Sequence, residues 1–269
     1  MESYIRQHKI YPDEFPESWA SGWGEDEFGL WMAFTYKGIQ QKFRWCEPGE
    51  FLMGSPQKET YRRPDESLHN VILSKGFWIA DTTVTQALWM EVVNNNPSRF
   101  QGESRPVENV SWNDAQEFIV KMNDMKSELK LRLPTEAEWE YACRAGSKTP
   151  FCWGEQINSD LVNFEGTYPY KGGEISEYRE HTVDVKSFHQ NDWGLWQMHG
   201  NVSEWCQDWY GDYLRLPKKS PLMSAKSEGK LIRGGSWFTG GWQCRSAFRA
   251  SRPPQTRSDT IGFRLIREC

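Results

Sequence analysis

Apolar residues fall into three regimes along this chain. Through about residue 80 they alternate in short runs. Phe34-Thr35-Tyr36 and Gln41-Lys42-Phe43-Arg44-Trp45 flank Lys37-Gly38, the pattern of a β-hairpin. Phe51-Leu52-Met53 ends a short strand at the turn Gly54-Ser55-Pro56, and Asn70-Val71-Ile72-Leu73-Ser74 and Phe77-Trp78-Ile79-Ala80 predict two more strands. The earlier stretch from Trp19 to Gly29 is rich in glycine and aromatic residues and reads as loop. Between residues 85 and 145 the period lengthens to that of a helix. Leu88, Trp89 and Val92 share one face of a helix near 85–93 that stops at Asn94-Asn95-Asn96-Pro97. Ser111 and Asp114 form the capping box of a second helix near 112–129, with Ala115, Phe118, Ile119 and Met122 on its inner face. Thr135 and Glu138 form the box of a third near 136–144, which carries Trp139, Tyr141 and Ala142 and ends at Ala145-Gly146. After Gly146 only short strands are expected, set in a large fraction of loop.

The last stretch, Leu231 to Ile266, stands apart. Strand-like Leu231-Ile232-Arg233 and Ile261-Gly262-Phe263-Arg264-Leu265-Ile266 bracket a segment broken too often by Gly and Pro to form a helix or a long strand. The two brackets are expected to pair in a small central sheet. A long irregular segment pinned at both ends is the kind that carries function.

Composition narrows the class. A chain of 269 residues, 38% hydrophobic and 26% charged, is long enough for a substantial core, with no repeat or linker to divide it. No apolar run reaches the roughly 18 residues of a membrane span. Met1 to His8 has no apolar signal core, which makes the cytoplasm the expected location. A net charge of −5 argues against a nucleic-acid partner, although the arginines of the last segment would make a local positive patch. Fifteen tryptophans suit an irregular fold propped by large side chains. The six cysteines, Cys46, Cys143, Cys152, Cys206, Cys244 and Cys269, form no CxxC or Cys/His cluster, so they read as buried thiols rather than zinc ligands.

The order of several motifs adds a resemblance. Phe51-Leu52-Met53-Gly54-Ser55, Pro106-Val107-Glu108-Asn109-Val110-Ser111-Trp112, Arg132-Leu133-Pro134-Thr135-Glu136-Ala137-Glu138-Trp139-Glu140 and Gly200-Asn201-Val202-Ser203-Glu204-Trp205 come first. Arg233-Gly234-Gly235-Ser236-Trp237, Cys244-Arg245-Ser246-Ala247-Phe248-Arg249 and Ile261-Gly262-Phe263-Arg264 follow. Together they resemble the formylglycine-generating enzyme (sulfatase-modifying factor) family over about residues 45 to 266. The resemblance implies an α+β fold: one compact domain with little regular secondary structure, an elaborated relative of the C-type lectin fold. Residues 1–44 would be a lead-in packed on that core. Residues 45–269 would be the family domain, with a ligand-binding segment at 231–266.

The same resemblance supplies three site expectations. Family enzymes hold copper with two cysteines separated by four residues and oxidise a substrate cysteine, in a CxPxR pattern, to formylglycine. Here the second position is Cys244 and the first falls on Thr239. Cu(I) needs two soft thiolates, and a hydroxyl is a poor substitute, so Cys244 would be catalytic only with a thiol from elsewhere. A family calcium site maps onto Gln197, Gly200, Val202 and Glu204, an all-oxygen set suited to structural Ca2+. A second begins at Asn163-Phe164 but lacks its partner aspartate. The iron-binding relative that makes sulfur–carbon bonds uses three histidines on an added helical domain, which this chain does not match; His199 instead reads as structural.

Other members of the family are variable proteins of diversity-generating retroelements, which mutate adenines to vary a C-terminal ligand surface. Their fixed frame is similar to the last three motifs here. Between the frame residues lie Phe238, Thr239, Gly240, Phe248, Ala250, Ser251, Arg252, Thr256, Ser258, Asp259 and Thr260, all residue types that randomised AAC codons can encode. Trp242, Gln243 and Gln255 are not, and would be fixed. Three functions remain open. One is a binding protein for a protein or small-molecule ligand. Another is a copper-dependent oxidase that makes formylglycine. The third is an interaction or effector domain of a bacterial signalling or conflict system.

Overall fold

Lys37 and Gly38 take left-handed backbone angles, φ 45° and 86°, as a two-residue turn between twisted strands requires. They join β2 (Gly29–Tyr36) to β3 (Ile39–Cys46), the hairpin expected from the alternation. The computed structural model describes residues 10–213 and 218–268; Met1–His8 and Cys269 lie outside the described residues. β1 (Gly22–Asp26) pairs with β2, so the glycine-rich stretch read as loop is in part a strand. Its Gly24 lies under the indole of Trp31, where any Cβ would sit 3.1 Å from the ring. That close cover lets so unpromising a sequence hold an edge strand.

These strands open a six-stranded sheet in the order β1-β2-β3-β6-β12-β7, where β6 is Phe77–Ala80, β7 Leu131–Arg132 and β12 Ile266–Arg267. β1, β2 and β3, between Gly22 and Cys46, belong to this sheet, and β3 crosses residue 44. β4 (Gly49–Met53) and β5 (His69–Leu73) form a two-stranded ribbon. A four-stranded sheet has the order β10-β9-β8-β11, from Ala250–Arg252, Lys230–Arg233, Ser203–Trp209 and Ile261–Gly262.

The helices follow their local signals. α1 (Gln86–Val93) starts at Thr85, whose hydroxyl accepts from the Leu88 amide, and stops at Asn94 in the left-handed region. α2 (Trp112–Met125) and α3 (Glu136–Arg144) each begin with the reciprocal capping box the sequence predicts. α2 runs only to Met125, and a 3-10 turn at Ser127–Leu129 covers the remainder. Trp89 and Phe118 stack between α1 and α2 with ring centres 5.3 Å apart, and Phe263 meets both edge-on. The last segment therefore supplies a ring to the main core.

The two brackets of that segment do not pair with one another. β9 and β11 lie in the same sheet, but β8 runs between them, antiparallel to β9 and parallel to β11. The final apolar run also divides. Ile261-Gly262 belongs to the four-stranded sheet and Ile266-Arg267 to the six-stranded one. Between them Phe263 and Leu265 offer their carbonyls to the amides of Val84 and Ala80. One short run thereby stitches the two sheets together.

The arginines of the segment do not form a positive patch. Arg233, Arg245, Arg249 and Arg264 are all buried. Arg264 meets both oxygens of Glu204 at 2.6 and 2.7 Å, and Arg249 meets both of Glu136 at 2.6 and 2.7 Å. Arg245 is held by Glu66 and Glu59, and Arg233 by Glu140 and the carbonyl of Phe248. A dry guanidinium must be matched by a carboxylate, because an unpaired charge in the interior costs several kcal/mol. Arg252 and Arg257 alone of the segment's interior arginines stay exposed. Removing one partner should be severe. Arg264→Ala is expected to lower stability by about 3–5 kcal/mol, and Arg252→Ala by no more than about 0.5 kcal/mol. Urea denaturation of both variants checks the contrast.

Candidate functional site

After β9 the chain turns through Gly234 and Gly235, at φ 94° and 71°. A side chain at Gly235 would also meet the Cys244 Sγ at 2.8 Å and the Thr239 Oγ1 at 2.9 Å, so glycine alone fits there. Thr239 donates to the Ser236 carbonyl at 3.0 Å and accepts from the Ser236 amide at 2.8 Å. Its hydroxyl lies 3.7 Å from the thiol of Cys244. The chain then tightens into a 3-10 turn, Gly241–Cys244.

Cys244 is fully buried, and burial pushes its thiol up to about 12. At neutral pH it is a protonated, apolar-facing side chain, far from the thiolate that nucleophilic or metal chemistry needs. His199 sits behind it. Its Nδ1 donates to the Cys244 carbonyl at 2.7 Å, and its Nε2 accepts from the Cys152 amide at 3.2 Å. Burial lowers this imidazole to about 4, so it stays neutral and holds two backbone groups apart. The structural reading of His199 is the one the geometry supports.

The turn before β8 is equally occupied. Glu204 is buried, and besides Arg264 it accepts from the Trp139 indole at 2.8 Å. Gln197 is bonded through its amide to the carbonyls of Asp184 and Ser187 and accepts from Asn201 at 2.6 Å.

A sequence model described as a sulfatase-modifying factor enzyme 1-like domain matches residues 37–269. The chain belongs to that family. It is 34% identical to the formylglycine-generating enzyme of Streptomyces coelicolor over 179 residues, covering 61% of this chain and 53% of that one. It thus spans about half the length of that relative. Among solved structures, Treponema denticola variable protein 1 matches at 25% identity with a TM-score of 0.75, over 88% of this chain and 98% of its own. PvdO from Pseudomonas aeruginosa matches at 28% identity and TM-score 0.72, over 93% and 99%. The α+β, C-type-lectin-like domain implied by the motifs is the fold these neighbours share.

Seen in the family's terms, Thr239 and Cys244 are adjacent, as the two metal-binding positions should be, but one hydroxyl and one buried thiol do not fit Cu(I). The calcium set does not fit either. Glu204 is the only charged member of Gln197, Gly200, Val202 and Glu204, and a guanidinium already occupies its carboxylate. A cation brought there would face Arg264. At Asn163, the side-chain oxygen is buried without a hydrogen-bond partner while its amide is bonded to His181 and Asn201. Among the described residues no three His, Cys, Asp or Glu side chains gather as a metal group.

The eleven residues proposed from the sequence as a ligand surface are not one surface. Phe238 is 57% exposed, beside the indole of Trp237. Trp237 donates to the Asp259 carbonyl at 2.9 Å, which draws Ser258, Asp259 and Thr260 to the same side as Phe238 and the half-buried Thr239. Ala250, Ser251 and Arg252 instead form β10, at the opposite edge of the four-stranded sheet from β11. Three strand spacings, roughly 14 Å, separate the two edges. Thr256 lies in the turn between them, its amide bonded to Pro253. Gly240 and Phe248 are buried. Phe248 packs edge-on against Trp242 at 5.2 Å and is a core residue rather than part of an exposed ligand surface. Two rings the sequence reading missed, Phe100 and Tyr178, pack on Trp237 at 5.3 and 6.2 Å. They come from distant loops, and nothing in their local pattern marks them.

Glu108 underlies this aromatic group. It accepts from the Phe100 amide at 2.9 Å, while its second oxygen is buried without a partner. Burial raises its carboxyl to about 7. The folded chain therefore holds this proton more tightly than the unfolded chain, whose carboxyl sits near the ordinary value of about 4.3. The stability this confers is full below that ordinary value and is lost as pH rises through about 7. Glu108→Gln should raise the melting temperature at pH 8 and flatten its fall between pH 5 and 8. Asp208, also raised to about 7 by burial, would leave part of the slope. Calcium removal gives a separate expectation: EGTA leaves the melting temperature unchanged, and Glu204→Ala lowers it equally with and without calcium.

Proposed function

We propose that this chain is a non-catalytic binding protein that uses the sulfatase-modifying factor fold as a scaffold and presents the surface around Phe238 to a protein or small-molecule ligand. The observation that carries this reading is the Thr239–Cys244 pair, in which one family metal position is a hydroxyl and the other a buried thiol held up to about 12. The likeness to Treponema denticola variable protein 1 supports it further. On that pattern the buried arginines and Gly234-Gly235 are the fixed scaffold. Phe238, Thr239, Ser258, Asp259 and Thr260 are then the positions free to vary, with Ala250, Ser251 and Arg252 as a second, separate edge.

Exposure suits those roles. A side chain such as Phe238 contributes little to the core, so it can change without unfolding the chain, whereas an aromatic anchor can carry about 2 kcal/mol or more of an interface. The genomic counterpart is a nearby near-copy of the coding sequence for this segment that differs at adenines.

The test is direct. Incubated with copper, a thiol reductant, oxygen and a CxPxR peptide, the purified chain is expected to yield no aldehyde, read by hydrazide labelling and mass spectrometry. Formylglycine that forms with the wild type and vanishes in Cys244→Ser would overturn the binding reading. Cys244→Ser is expected to cost stability only, because a hydroxyl is harder to bury than a thiol.

A further inference from the structure

The surface around Phe238 extends beyond the C-terminal segment. The loop 165–178 runs alongside it, fixed by the Glu165 amide on the Thr239 carbonyl at 3.0 Å and the Gly241 amide on the Tyr168 carbonyl at 2.9 Å. Glu165 also bridges to Tyr178, and the Ser176 amide bonds the Gly166 carbonyl at 2.9 Å. The loop therefore folds back on itself, stacks Tyr178 on Trp237, whose indole meets Phe238, and lays Tyr168 beside Gly240. Tyr168 is 63% exposed and Phe238 57%. Exposed rings on adjoining segments mark a contact surface.

In the loop's sequence acids outnumber bases. Residues 155–180 carry Glu155, Asp160, Glu165, Glu174, Glu177 and Glu180 against Lys171 and Arg179. Both bases are engaged, Lys171 with Glu155 at 3.8 Å and Arg179 with Glu177 at 2.7 Å. Asp160, Glu165, Glu174 and Glu180 have no ion-pair partner among the described residues. On the other side Arg99, which bonds Asp259 at 2.6 Å, is likewise engaged. After burial, the charges of Glu165, Glu180 and Asp259 raise the phenol of Tyr178, which places all three acids around the aromatic group.

We propose that this patch docks a basic polypeptide segment, one that lays an arginine or lysine side chain against the exposed rings of Phe238 and Tyr168 while Glu165 and Glu180 meet its charge. The inference rests on the binding-protein reading and names the chemistry of its partner. An aromatic face attracts a cation through its quadrupole, and nearby carboxylates add long-range attraction that salt screens. An acidic or purely apolar partner would leave the acids unmatched, and like-charge contact disfavours it. The whole chain, at −5, favours the same sign of partner.

The test uses the full chain and three fluorescein-labelled octapeptides that alternate glycine with arginine, glutamate or serine. Fluorescence anisotropy is read at low salt and at 0.3 M NaCl, a range over which the screening length shortens several-fold. The arginine peptide is expected to bind at least about ten-fold more tightly than the other two and to weaken with salt. Phe238→Ala and Tyr168→Ala should each weaken it about five-fold, the scale of an exposed cation–π contact. The Glu165→Gln, Glu180→Gln pair should weaken it more than a control pair outside the patch, Glu27→Gln, Glu128→Gln, which changes the net charge equally. Circular dichroism melts confirm that each variant is folded. Equal affinity for the three peptides, no binding of the arginine peptide, or equal loss in the two charge pairs overturns the inference. None of these touches the binding-protein reading, which falls only to oxidation of the peptide cysteine.

Discussion

Buried guanidinium–carboxylate pairing is the constraint on which the rest of this structure depends. A segment with so many glycines and prolines cannot hold itself by backbone ladders, and its strands are only two to four residues long. Its shape comes instead from arginines that reach into the protein and end on glutamates of α3, of β8 and of the 59–66 loop. Each planar guanidinium fixes both the distance and the orientation of its partner. Such pairs add little net stability over well-packed apolar groups, yet they punish any other arrangement, because a misplaced arginine leaves two charges dry and unmatched. The irregular segment is specified by the cost of its alternatives.

That arrangement divides labour along the chain. Arg233, Arg245, Arg249 and Arg264 point inward, and Phe238, placed between the first two, points outward. Cys244 belongs with the inward set. Its thiol lies close to Gly235 and its carbonyl is held by His199, so the position that resembles a catalytic one is packed on both sides. Inward and outward residues alternate over a few positions.

The sequence made some of this legible and hid the remainder for physical reasons. The Lys37-Gly38 hairpin and the capping boxes at Ser111 and Thr135 are decided within a few residues, so their signals are local. The family motifs located the Thr239–Cys244 pair. The partners of the arginines were not legible: Arg264 finds Glu204 60 residues earlier, and Arg245 finds Glu59 186 residues earlier. An arginine-rich stretch read alone looks like a basic surface, and only the distant glutamates make it a core. The reading of Trp19–Gly29 as loop failed for a related reason, since the cover that makes β1 a strand comes from Trp31. The reach of the surface onto Tyr168 and Tyr178 depends on loop packing, for which no periodicity exists.

The division of the final run between the two sheets has a consequence for the order in which the protein is made. β11 is an edge of one sheet and β12 an inner strand of the other, and only three residues separate them. While those residues are still inside the ribosome, β6 and β7 have nothing between them and Glu204 waits for the arginine that neutralises it. The amino-terminal hairpin can form early, as domains do during synthesis. Neither sheet is complete until these residues have emerged, so the hairpin forms ahead of the strand that joins the two sheets.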